Sequence, residues 1–74
     1  MQGVLNSVDC SQAPVAVLTV TSGGKKWKML APDAKKLIVM GADSLSCFWT
    51  NKKVAVNYHK SGDNEGQLVS LELE

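Results

Sequence analysis

The chain contains no arginine. Arginine supplies the planar fork that clamps phosphate, reads guanine and stacks on bases, so its absence argues against a dedicated polyanion binder. Eight lysines against seven acids leave a net charge of +1. Neutralising a phosphate backbone needs a larger basic excess or a strongly basic face. There is one histidine, His59, and there are two cysteines, Cys10 and Cys47. A structural zinc site takes four such ligands in paired spacing, so no metal is expected. No organic cofactor is implied either: phosphate loop, dinucleotide fingerprint and nucleophile elbow are all missing, and Gly23-Gly24 has the setting of a turn. Cys–His catalysis needs the pair within hydrogen-bond reach and a third, orienting group, whereas His59 falls on an outward strand face. The sequence therefore reads as a non-enzyme. Its longest uncharged stretch, Cys10 to Gly24, is broken by Pro14 and rich in Ser and Thr. That is too short and too polar to span a bilayer, so membrane insertion is not expected.

What is present suits one small folded domain, placed at residues 3–73. The hydrophobic share of 45% is ordinary for a globule, and no low-complexity tract argues for disorder. A chain this short buries only about 60% of its unfolded surface, so the core needs tight packing or a staple. The opening MQGVLNSVD lacks the basic and apolar regions of a signal peptide. Strand-like sequence directly after Met1 reads as an excerpt of a longer protein, and Leu73-Glu74 as native or a cloning remnant. Localisation then stays unassigned, with an extracytoplasmic site favoured if the cysteines are bridged.

Val4 to Asp9 alternates weakly and reads as a first strand, with Val4, Asn6 and Val8 on one face and Leu5, Ser7 and Asp9 on the other. Asp9 to Pro14 is a turn. Val15 to Thr21 is dense in β-branched residues and is a strand by propensity. Ser22-Gly23-Gly24 makes a hairpin turn into a third strand, Lys25 to Leu30, which sets Trp27 and Met29 opposite Lys26 and Lys28. Around residues 32–36, Pro32 and Asp33 suit at most one short helical turn. Leu37 to Met40 is a short apolar run, read as a buried strand.

Cys47 to Tyr58, CFWTNKKVAVNY, is the richest stretch. It reads as strand, turn at Asn51-Lys52, and strand, with Val54, Val56 and Tyr58 on one face and Ala55, Asn57 and His59 on the other. Ser61 to Gly66 is a loop, and Gln67 to Leu73 a closing strand with Val69, Leu71 and Leu73 inward. Five to seven short strands about ten residues apart indicate an all-β sandwich or barrel. At this size a barrel is easier to fill, and closure removes exposed edges. The fold class is an all-β, OB-like or alternatively SH3-like barrel.

The motifs Gly3…Asp9-Cys10, Val54-x-Val56-x-Tyr58 and Gly66-x-Leu68-x-Ser70-Leu71-Glu72 occur in an order that resembles a group of small bacterial OB-like barrel modules of uncharacterised function. Some of these are appended to longer proteins, including tetratricopeptide-repeat proteins. The resemblance implies a barrel within a larger parent and brings no catalytic residues.

Two surfaces remain as candidates. Cys10 and Cys47 allow one bridge, which would stabilise by about 3.5–4 kcal/mol in the chain-entropy model; two independent buried thiols are the alternative. Trp27, Trp49, Asn51, Lys52 and Lys53 form the candidate binding surface. Phe48 and Trp49, if they lie in a regular strand, point to opposite sides, one inward and one out. The functional reading is a non-catalytic accessory or protein-interaction module, monomeric as an isolated domain. The alternative is sequence-tolerant single-stranded nucleic-acid binding, with the aromatics and lysines as the platform.

Overall fold

In the computed structural model, which describes all residues 1–74, the chain is made of strands and turns. The strands are β1 (Gln2–Gln12), β2 (Val15–Ser22), β3 (Lys25–Ala31), β4 (Ile38–Met40), β5 (Lys52–Gly62) and β6 (Glu65–Leu73). Helix is absent, so none is long and apolar enough to cross a membrane. β1, β2 and β3 form an antiparallel meander, and β5–β6 is a hairpin. That hairpin returns so that β5 pairs antiparallel with the start of β1 and β6 pairs parallel with β3. The circuit β1-β2-β3-β6-β5 closes a five-stranded mixed barrel of OB-like form, and β4 is added outside it on β6.

The turns follow from their residues. Gly23 and Gly24 both have positive φ, 61° and 79°, as the tight two-residue turn of a right-twisted hairpin requires. In the β5–β6 turn Asn64 takes φ 61°, a conformation asparagine tolerates better than most residues. At 32–36 there is a single hydrogen-bonded turn: Lys36 N–H donates to the Asp33 carbonyl at 3.0 Å and Lys35 N–H to Asp33 Oδ1 at 3.0 Å. Ala34 N–H donates to the Pro14 carbonyl at 2.8 Å, tying this connection to the β1–β2 hairpin.

The core is small, with eleven buried apolar residues including Leu5, Leu18, Val20, Met29, Val54 and Leu71. β3 and β5 present the faces expected of them: Met29, Val54 and Val56 are buried, and Trp27 and Tyr58 are half-buried beside them. β1 departs from simple alternation. A register shift between Leu5 and Ser7 carries the chain through Asn6, so Leu5 and Val8 both reach the core while Val4 and Asn6 do not. Such a bulge re-aims every later side chain. Asn6 then accepts a hydrogen bond at Oδ1 from Thr21 Oγ1, 2.6 Å away. Gly3 is needed for a different reason: a Cβ there would lie 2.4 Å from the Thr21 carbonyl oxygen, so β1 and β2 approach too closely for any side chain.

Three further expectations are corrected. Val69 does not face inward; Leu68 does, because β6 bulges opposite Asn57 and Tyr58. Leu37 to Met40 is no buried strand, since β4 pairs on one side only and leaves Ile38 and Met40 exposed. The strand expected from Cys47 up to the Asn51-Lys52 turn is absent: this is irregular chain leading to Asn51, which has φ 53°.

Candidate functional site

Cys10, near the end of β1, is bonded to Cys47 in the β4–β5 connection, with S–S 2.01 Å and Cα–Cα 6.0 Å. The connection has little else to hold it, having no strand of its own. Two amides are satisfied locally by Ser46: Phe48 N–H donates to its Oγ at 3.2 Å and Trp49 N–H to its carbonyl at 3.5 Å. This small turn (a motif in which a serine hydroxyl replaces a backbone acceptor) decides which aromatic faces water. Trp49 packs against the core, while Phe48 is 92% exposed. One aromatic in and one out was the expected outcome, but a turn produces it, not strand alternation. Ser46 was missed as a positioning residue, although a serine directly before Cys-Phe-Trp was its visible signal.

The other candidates lie on β3 and around the start of β5. Lys52 and Lys53 are exposed at the start of β5, where they pair with Leu5 and Val4, and Asn51 is the positive-φ residue before them. Trp27 lies close to the Gly23-Gly24 hairpin and stacks on Tyr58 with ring centroids 5.7 Å apart and planes at 59°, a favoured tilted geometry. That hairpin end is opposite the end where Cys47 meets Cys10, and the pairings run from Trp27 through Val20 and Leu5 to Lys52. Behind the Trp27–Tyr58 pair, Gly66 is buried. A Cβ on it would lie 2.6 Å from the Tyr58 ring.

Beside Cys10, Ser11 N–H donates to Asp9 Oδ1 at 2.9 Å. This bond, reinforced by the Ser11 side chain, holds the Asp9 carboxyl below its ordinary value. Because the folded value is the lower one, the contribution to stability is held above the ordinary aspartate range and is lost as pH falls through the folded value. A carboxyl-carbon titration followed by NMR is expected to place Asp9 below the ordinary aspartate value, and Ser11→Ala to move it part of the way back.

His59 is exposed on β5, and no three His, Cys, Asp or Glu side chains gather into a possible metal cluster. Two shallow clefts mark the surface. One, of about 260 Å³, lies on the outer face between β2, β3 and the β5–β6 hairpin and is lined by Val17, Lys28, Leu30, Ser61, Glu65 and Gly66. The other, of about 220 Å³, lies where β3 leaves β6 and β4 joins it, between Pro32, Lys36, Leu37, Leu68 and Val69. Among known proteins the chain matches no family model, no curated sequence and no solved structure.

Proposed function

We propose that this chain is a non-catalytic protein-interaction module whose contact residue is Phe48. The observation that carries this is a phenylalanine 92% exposed directly after a disulfide-bonded cysteine. Binding hot spots are large side chains that gain most from desolvation, and anchoring one beforehand lowers the ordering cost of association. Asn51 at the end of the connection and Lys52 and Lys53 at the start of β5 follow it and supply a polar rim. The motif order supports placing the module in a longer bacterial protein of the tetratricopeptide-repeat kind. The Cys10–Cys47 bond supports an oxidising, extracytoplasmic compartment.

Lys26 and Lys28, exposed on β3, are what favours the nucleic-acid reading. Against it, a single-strand platform needs aromatic faces for bases to stack on, and Trp27 and Tyr58 are half-buried, packed against the core and against each other. The two readings part in one experiment. A photo-crosslinking amino acid at position 48 of the parent protein in its host is expected to give a discrete protein adduct that the same group at position 26 does not. Adducts at neither position, together with salt-dependent tryptophan quenching by single-stranded oligonucleotide, would replace the protein reading with the nucleic-acid one.

A further inference from the structure

We infer that β4 is a docking edge whose occupant is an extended partner segment, apolar with an acidic end, added to the sheet as one more strand; this rests on the protein-interaction reading above and names the partner's chemistry. β4 is the outermost strand and bonds to β6 alone. No backbone hydrogen bond outside that ladder involves Ile38, Val39 or Met40. The N–H and C=O groups turned away from β6 are therefore open to another chain. Natural sheets blunt such an edge with a charge, a proline or a bulge, or by keeping it very short. At three residues β4 is short, but Ile-Val-Met carries no charge, proline or bulge.

The side chains favour the same occupant. Ile38 is 59% and Met40 43% exposed, and Val69 is exposed on β6 beside Ser70, the residue paired with Ile38. Strand addition draws affinity from main-chain bonds and specificity from sites for alternate side chains, and this apolar group offers such sites. The charge is set by Lys35 and Lys36, both exposed and directly before β4. The acid closest to them in sequence, Asp33, accepts the Lys35 backbone N–H and keeps its charge, lining the same cleft as Lys36, so two lysines outnumber one carboxylate there. Past Met40 the edge stops: Gly41 has φ 91°, and a Cβ on it would lie 3.2 Å from Leu73, so the chain turns off before exposed Asp43. Antiparallel pairing is the more stable kind. It sets the C-terminal end of the incoming segment beside the two lysines and the 220 Å³ cleft that Lys36 lines, which is where an acidic residue is required.

The test uses the isotope-labelled, disulfide-bonded domain and a blocked pentapeptide of alternating threonine and valine ending in glutamate. Amide shifts are expected at Lys35–Met40, with slowed exchange of the outward β4 amides. Replacing the peptide's glutamate by lysine, or making Lys35→Glu with Lys36→Glu, is expected to weaken binding about two- to fivefold, the scale of an exposed ion pair. Backbone N-methylation of the peptide, or Met40→Lys at an already exposed position, is expected to abolish it. Equal binding of the N-methylated peptide overturns the inference. So does protection of β4 that grows with protein concentration alone, which would make a second copy the occupant. Shifts confined to residues 46–50 overturn the strand addition but leave the Phe48 reading standing. Loss of the crosslink at position 48 with the β4 shifts intact does the reverse.

Discussion

Replacing Cys10 and Cys47 together by alanine is expected to lower the unfolding free energy by about 3.5–4 kcal/mol. The bond spans a sequence separation of 37, and closing a loop of that size removes that much chain entropy from the unfolded state. The weight of the loss comes from the size of the core. Thirteen of 74 residues are buried, and a single core this small rarely supplies more than about 3–5 kcal/mol. The variant is thus expected to sit near the edge of folding at room temperature. Denaturant titrations of the native protein, the reduced protein and the double alanine variant check this. Reduction and substitution should agree, and a loss below about 1 kcal/mol would mean that the bond contributes little beyond local order. Local order is a second readout. With the bond gone, residues 41–51 keep only the Ser46 turn and the packing of Leu45 and Trp49. Hydrogen exchange there should accelerate before the barrel amides respond, because weakly held segments open well below the global unfolding energy. The same change frees Phe48, so the crosslink at position 48 should become diffuse.

The strands that could be read in the sequence are those whose pattern and turns agree. Val15 to Ser22 is rich in β-branched residues, Gly23-Gly24 leaves no other economical turn, and Lys25 to Ala31 alternates against it without a break. Val54, Val56 and Tyr58 were equally plain. What could not be read depends on pairing. Asn6 and Val69 sit at register shifts, and a shift is chosen by the partner strand and the curvature of the closing barrel, neither of which local alternation encodes. Leu45 to Thr50 has a strand-like composition with Cys, Phe and Trp in a row. It remains irregular: Cys47 is bonded to Cys10 and the Ser46 turn takes up the Phe48 and Trp49 amides, so the segment is held without joining a ladder. Which of the two adjacent aromatics faces out was likewise not written in the alternation: the serine turn packs Trp49 against the core and leaves Phe48 in water.

The bulge in β6 can be tested by two truncations one residue apart. Leu68→Ala is expected to cost about 2–5 kcal/mol, as removal of a buried leucine does. Val69→Ala is expected to change stability by no more than about 0.5 kcal/mol, the range for exposed positions. Leu68 is 4% exposed and Val69 44%. Simple alternation back from Leu71, which is fully buried, gives the opposite order, with Val69 inside and Leu68 outside. The pairing explains why alternation fails here: Asn57 is opposite Ser70 and Tyr58 is opposite Leu68, which leaves Val69 with no partner on β5. The displaced residue is held from both sides. Ser70 is buried and its Oγ accepts a hydrogen bond from Asn57 Nδ2 at 2.8 Å, and Leu68 fills the space beneath the cleft where β3 departs. The two variants, compared by denaturant titration, therefore distinguish the bulged register from the regular one by the sign of their difference. The exposed Val69 that the bulge creates also lies beside β4, so Val69→Ala should leave the fold intact while weakening the strand-forming peptide. A barrel that alternated regularly would have buried this residue and offered the edge no such apolar neighbour.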